Sequence, residues 1–347
     1  MATLGDVAAL AGVSISAVSR VLSNDASARV SATTRTRITE AAKALNYRPN
    51  FAGRALKFSR SNVIALIVPD LTNAVFAELM RGVEDGALER GYVVLLARAE
   101  DMQPGGEMID RLLGEGRVDG VLLQVGDHVA PEALASMLRA ANPTVLVNSV
   151  HPGFSGSVTL DDIAAGRLAT EHLLTLGHTR IALINGLTTT HTAQQRAIGF
   201  REALAAASGA GTAPGPDAAA DSGPITWHGY EPRAGRAALR ELMDAAEPPT
   251  AVVVANINAA IGVLGEARVL GIRVPEELSV VAIHDAWTAE NTWPPLTTVR
   301  MPLYELGRRG VDALYARLHG ETIADTVVSD PPPELLVRES TAPPIRR

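Results

Sequence analysis

The stretch TLGDVAALAGVSISAVSRVLS, Thr3 to Ser23, carries two short helical repeats broken by a single glycine. Thr3 followed three residues later by Asp6 has the form of a capping box, in which two side chains satisfy each other's backbone N–H groups. Leu4, Val7, Ala8 and Ala11 then share one face of a first helix. Gly12 ends it, and Ser14 is placed to cap a second. Two helices joined by a tight glycine-containing turn form a helix-turn-helix. At about 100° per residue, Val18, Val21 and Leu22 share an arc that packs on the first helix, leaving Ile15, Ser16, Ser19 and Arg20 outward. Small side chains let a helix backbone approach DNA closely. Serine hydroxyls reach phosphates or base edges, and one arginine can span guanine O6 and N7. A serine-rich solvent face on an ordinary surface helix accounts for the same pattern, so both readings stand at this point.

A third helix opens at Ser31, with Ile38, Ala41, Ala42 and Leu45 as its buried stripe, and closes a three-helix bundle. After NYRPN comes FAGRALKFSR (51–60), where Asn50 is positioned to cap a helix of about two turns. Isolated helices that short do not persist in water. Gly53 in its middle costs up to about 1 kcal/mol more than alanine would. The segment is expected to order only when something holds it.

Charge separates this N-terminal part from the rest. The 347 residues carry a net charge of −7, yet the first 60 hold nine basic residues against three acidic ones, +6, which leaves −13 on the remainder. A small basic unit fused to a larger acidic body suits a polyanion at one end; a solvated basic helix pair is the alternative. There is no cysteine, which excludes disulfides and thiolate metal sites and fits a reducing cytoplasm. The N-terminus has no basic region followed by an apolar run, and no stretch of about 18 apolar residues occurs anywhere, so a cytoplasmic protein without membrane partners is expected.

From Val63 the pattern changes. VIALIV (63–68) is a continuous apolar run of strand length, followed by a helix-period segment from Ala74 to Arg90 that stops at Gly91. YVVLLA, VDGVLLQV and PTVLVN repeat the strand signal, with helices expected near 105–115 and 131–141. A second series follows in RIALIN (180–185), a helix from about Ala193 to Ala207, TAVVVAN (250–256), a helix to about Leu270, and LSVVAI (278–283). Apolar strands alternating with amphipathic helices imply parallel sheets covered on both faces, and two series imply two similar lobes. SGAGTAPGPDAAADSGP (208–224) reads as a surface loop, and SDPPPELLVRES holds a late strand.

No GxxxxGK, GxSxG or HExxH motif is present, and the eight histidines are scattered. His172 and His178 suit packing and capping, and the paired acids Asp161 and Asp162 suit a helix start. No catalytic, metal or cofactor constellation emerges, and a non-enzymatic protein is expected.

TLGDVAALAGVSISAVSRVLS, VSATTRTRITEAAKALNYRPN, RALK, IALIVPDLTNAVFAELMRGVEDGA, RVDGVLL, HLLTLGHTRIALING, RAIGF and PPLTTVRMPLYELGR run in order from residue 3 to about 310. Together they resemble the LacI/GalR family of bacterial transcriptional regulators. The resemblance implies a helix-turn-helix headpiece over 1–48 and a hinge helix and linker over 49–60. It also implies an α/β two-lobed, periplasmic-binding-protein-like body with parallel sheets over 61–340. The first lobe is expected to take about 61–160 and 290–320, and the second about 161–289 and 321–340.

By resemblance, Ile15, Ser16 and Arg20 meet base edges in the major groove. Ser14 and Ser19 match positions that hold phosphates, Arg29 lies in the loop toward the third helix, and Thr3 belongs to the same DNA-binding set. Asn50, Arg54, Leu56 and Lys57 belong to the hinge, where Leu56 matches a leucine levered into the minor groove; an apolar wedge kinks DNA while flanking bases neutralise phosphate. Gly53 departs from the family's usual alanine and bears on how readily that helix forms.

The resemblance also implies an effector cleft with Phe76, Asp161, Arg196, Tyr230, His284 and Asp285. Phe76 and Tyr230 suit stacking on a sugar or base, and Arg196 suits hydroxyls or a carboxylate. Core packing for Phe76 and helix capping for Asp161 are the alternatives. Where the family commonly has two consecutive acids, this chain has His284 then Asp285. Either the effector is unusual or His284 is structural. The expected whole is a homodimeric repressor on a pseudo-palindromic operator, with a tetramer as the further state and a carbohydrate effector. STAPPIRR has no coiled-coil period, which favours the dimer. An intracellular binding protein or enzyme on the same scaffold is the alternative function.

Overall fold

The computed structural model describes residues 2–23, 29–47, 60–99, 112, 114–126, 134, 138, 143–209 and 223–345. The chain divides into two compact units, 1–61 and 62–347. In the first unit, α1 (Leu4–Ala11), α2 (Ile15–Leu22) and α3 (Ala32–Ala44) form the bundle. The capping box is present: Asp6 N donates to Thr3 Oγ1, and Asp6 Oδ2 accepts from Thr3 N at 2.8 Å. Gly12 turns the chain at φ 61°, a left-handed conformation that costs glycine no Cβ clash. The axis of α2 departs from that of α1 by 106°. Val7, Ala8, Ala11, Val18, Val21, Ile38, Ala41 and Ala42 make the core, with Leu22 and Leu45 packed at its edge.

The second unit has two sheets. The first contains β1 (Val63–Val68), β2 (Val93–Arg98), β3 (Gly120–Leu123), β4 (Thr144–Val147), β5 (Ser157–Leu160) and β11 (Thr326–Val328), in the order β11-β5-β4-β3-β1-β2 and wholly parallel. The second contains β6 (Ile181–Asn185), β7 (Ile225–Trp227), β8 (Ala251–Val254), β9 (Ser279–Ile283), β10 (Thr297–Arg300) and β12 (Glu334–Leu336), in the order β12-β10-β9-β8-β6-β7. Only β12 runs antiparallel. Central strands such as VIALIV are apolar throughout because both faces are buried, Ile64, Leu66 and Val68 in one core cluster and Ala65 and Ile67 in another.

The expected lobe division needs correction at its C-terminal end. Thr297 pairs with Val281, so β10 joins the second sheet and the chain crosses to the first lobe only after Arg300. Thr326 pairs with Val158, so β11 belongs to the first sheet, and the return crossing falls between Val328 and Glu334. Strand pairing, a long-range matter, places these crossings. The late strand is β12. Most of the segments 105–115 and 131–141, where helices are expected, and most of the 208–224 loop lie outside the described residues.

The helices are α4 (Phe76–Glu89), α5 (Asp162–Thr175), α6 (His191–Ala207), α7 (Pro232–Met243), α8 (Ile257–Val269), the single-turn α9 (Trp287–Glu290) and α10 (Leu303–Leu318). Three pairs cross backbone to backbone through reciprocal glycines: Gly82 with Gly307 for α4 and α10, Gly166 with Gly199 for α5 and α6, Gly235 with Gly262 for α7 and α8. A Cβ at any of the six would strike the partner helix's backbone. The α5–α6 crossing matters most, because Gly166 rests on the backbone of Arg196.

Candidate functional site

In the N-terminal unit the exposed face of α2 is the feature of interest. Ser14 caps it, accepting from Ala17 N at 3.2 Å, and its hydroxyl lies 3.0 Å from that of Ser16. Val18 and Val21 are buried in the bundle, which fixes the rotation of the helix about its axis. Ile15, Ser16 and Arg20 are consequently exposed, as are Thr3, Ser14 and Arg29, while Ser19 is half-buried. Ile15 is 55% exposed, an apolar side chain on a face otherwise of hydroxyls and one guanidinium. Asn50, Arg54, Leu56 and Lys57 lie outside the described residues.

In the body, the carboxyl ends of both sheets open on a cleft of about 1010 Å³. Each sheet reverses its strand order beside its first strand, between β2 and β3 around β1 and between β7 and β8 around β6. Open α/β sheets bind ligands at such a switch point. Loops after successive strands deliver Asn73 and Phe76, Gln124, Asn148, His191 and Thr192, Tyr230, Asn256 and His284 to the walls.

The floor is a buried network around Arg196, which is 2% exposed. Its Nε donates to Asp162 Oδ1 at 2.8 Å and its Nη2 lies 2.7 Å from the same oxygen. Nη1 donates to the Ala255 carbonyl, and Nη2 donates to His284 Nε2 at 2.9 Å. The guanidinium also lies 5.7 Å from the Tyr230 ring centroid, a cation–π contact. Tyr230 Oη is 2.9 Å from Thr192 Oγ1, and its ring lies where a Cβ at residue 186 would stand, so Gly186 admits it. Burial pushes the Asp162 carboxyl up from its usual range, against the pull of Arg196. Burial, and then the Arg196 charge, hold His284 well below the ordinary histidine value, so its ring is neutral.

Four of the six expected cleft residues line this space: Phe76, Arg196, Tyr230 and His284. Phe76 serves both the cleft and the core. Asp161 and Asp285 are not among the lining residues. Asp161 caps α5, accepting from Ala164 N at 2.9 Å. Asp285 accepts from Thr298 Oγ1 at 2.7 Å and from Arg338 Nη1 at 2.9 Å, which ties the C-terminal segment to the second sheet. Arg196, expected to fork onto ligand, turns Nε, Nη1 and Nη2 toward the protein. Asp162, Gln124, Asn148, His191 and Asn256 were missed. All but His191 and Asp162 directly follow, or come two positions after, apolar strand runs such as VLLQ, VLVN and VVVAN, the signal that would have found them.

Among the described residues no cluster of three or more metal-ligating side chains occurs, and no single helix is long and apolar enough to cross a membrane. A helix-turn-helix with an exposed polar face and a two-lobed body around a cleft define a ligand-responsive DNA-binding regulator. Residues 3–50 match the model of bacterial regulatory proteins of the lacI family, and residues 170–341 match the periplasmic binding protein-like domain. The chain belongs to the LacI family of transcriptional regulators, which are not enzymes.

The ribose operon repressor of Escherichia coli K12 is 34% identical over 325 residues, 93% of this chain and 95% of that one. A LacI family transcriptional regulator from Mycobacterium smegmatis is 47% identical with a TM-score of 0.73, covering 81% of this chain and 99% of that structure. The lac repressor dimer bound to operator and the anti-inducer ONPF is 25% identical with a TM-score of 0.79, covering 98% of this chain and 99% of that one.

Proposed function

We propose that the protein represses transcription as a homodimer, with each α2 reading one half of a pseudo-palindromic operator and a carbohydrate-type effector in the cleft switching its affinity. The observation that carries this reading is the exposed trio Ile15, Ser16 and Arg20 on a capped helix whose rotation Val18 and Val21 hold. Arg20 takes a base edge, with Ile15 and Ser16 beside it; Thr3, Ser14, Ser19 and Arg29 face phosphates. Asn50, Arg54, Leu56 and Lys57 engage the operator centre, with Leu56 as the minor-groove wedge. The protein works in the cytoplasm, on the nucleoid while bound to DNA.

Phe76 and Tyr230 supply apolar and stacking surface for the effector, and His284 contacts it from the floor. Asp161 and Asp285 act behind the site as cap and tether. Effector and operator affinities are linked reciprocally, and a near-complete reversal of state needs a differential of about 5.5 kcal/mol. Selection of binding sites from a random DNA pool, with and without a sugar library, reads operator and effector together. In that assay Arg20→Ala is expected to lose about 1–3 kcal/mol of discrimination at one base pair. Uniform weakening over all sequences would reassign Arg20 to phosphate.

A further inference from the structure

Ile15 is the first residue of α2 and the one large apolar side chain exposed on that helix, at 55%. Its position is fixed from two sides. Ser14 accepts from Ala17 N and sets where the first turn begins, while the burial of Val18 and Val21 sets the rotation, so Ile15 cannot turn inward. A β-branched side chain in a helix also holds essentially one χ1 rotamer, which leaves little freedom to lose on contact.

A lone exposed isoleucine on an ordinary surface carries no meaning. Here it stands at the end of the helix that matters, because a reading helix contacts base edges with its N-terminal residues. Base edges in the major groove are hydrogen-bond donors and acceptors with one exception, the C5 methyl group of thymine. Isoleucine has neither donor nor acceptor in its side chain. Laid against adenine, guanine or cytosine it would strip water from polar edges and return no bond. Laid against a thymine methyl, both apolar surfaces leave water. The hydroxyl beside it does not change this: Ser16 Oγ is partly engaged, 3.0 Å from Ser14 Oγ.

We propose that Ile15 reads a thymine in each operator half-site through its C5 methyl group, close to the base pair read by Arg20. This rests on the DNA-reading role of α2 given above. Five residues of helix separate the two side chains, about 7.5 Å of axis at about 1.5 Å per residue, and base pairs follow at about 3.4 Å, so with side-chain reach the thymine lies within about three base pairs of that site.

The test uses the full chain and the operator returned by site selection, made as synthetic duplexes and read by fluorescence anisotropy. Each thymine of the half-sites is replaced in turn by deoxyuridine, which removes the methyl group and leaves every hydrogen-bonding group in place. One replacement, near the base pair at which Arg20→Ala loses discrimination, should weaken binding about fourfold in one half-site and about fifteenfold in both, the effect of one buried CH₂-sized group per contact. Cytosine at that position should also weaken binding, and 5-methylcytosine should recover part of the loss. Ile15→Ala should bind the unmodified operator more weakly and be indifferent to the replacement, while Ile15→Val keeps the sensitivity. Ile15 belongs to no core cluster, so circular dichroism of both variants should match the parent chain. Deoxyuridine tolerated at every thymine, or equal sensitivity in Ile15→Ala and the parent chain, would overturn the assignment and leave α2 as the reading helix. A selection that returns no preferred sequence would remove both.

Discussion

Removing the carboxylate beneath Arg196 tests whether the cleft floor is one interdependent unit. Asp162 and Arg196 are 1% and 2% exposed, and Asp162 Oδ1 takes both Nε and Nη2 of the guanidinium. Asp162→Ala leaves a buried positive charge without its carboxylate, beside the Ala255 carbonyl, the His284 imidazole and the Tyr230 ring. Breaking a buried ion pair from one side costs about 3–5 kcal/mol. The surviving bonds to Ala255 and His284 place the expected loss near the lower figure, about 3 kcal/mol.

Replacing both partners by apolar residues, Asp162→Leu with Arg196→Met, removes the uncompensated charge and is expected to cost much less than the sum of the single changes. The coupling in the double-mutant cycle should reach about 2–3 kcal/mol. Urea unfolding is the assay. The three tryptophans, Trp227, Trp287 and Trp293, all lie in the segment that builds the second sheet, so their fluorescence reports on the lobe concerned. Coincident transitions by fluorescence and circular dichroism are required before free energies are compared. A loss below about 1 kcal/mol for Asp162→Ala, with additive singles, would refute the dependence of Arg196 on Asp162.

Two further outcomes follow from the packing. His178 and His284 are buried and held below the ordinary histidine value of 6.5, by burial first in both cases. Below about pH 6.5 the unfolded chain takes up protons that the folded chain refuses. Their stabilisation is therefore full above that pH and lost as pH falls toward the folded values, at about 1.4 kcal/mol per pH unit for each histidine inside its window. Urea midpoints measured from pH 8 to pH 5.5 should fall, and a flat profile would contradict the burial of both rings. Gly199→Ala gains up to about 1 kcal/mol in helix propensity but drives a Cβ into the Ile163 carbonyl, and overpacking of this kind costs about 1–3 kcal/mol or more. A net loss of stability together with a weakened effector response is expected, read by thermal melting and anisotropy; a stabilised variant with normal response would show that α5 and α6 can separate freely.

Local chemistry was legible wherever it depended on neighbours in sequence. The capping box at Thr3 and Asp6, the turn at Gly12, the cap at Ser14 and the buried faces of α1 to α3 all follow from spacing. The structure reproduces each of them. The alternating apolar strands and helices likewise declared two parallel-sheet lobes, because a strand covered on both faces must be apolar throughout.

Partnership between distant residues was not legible in that way. Of two adjacent acids, Asp161 caps a helix while Asp162 holds Arg196, a choice made by which side of the first turn of α5 faces α6. Which sheet receives β10 and β11 depends on pairing across the chain. The sequence by itself determined the order of the described elements, which face of α2 is exposed, and the family. Only the tertiary structure decided that Arg196 spends donors on Asp162 and Ala255, that Asp285 serves the C-terminal segment, and that His284 pairs with Arg196 on the cleft floor. Helix and strand patterns are set by periodicities of a few residues. The polarity of a buried site is set by which long-range partners have already taken each donor and acceptor.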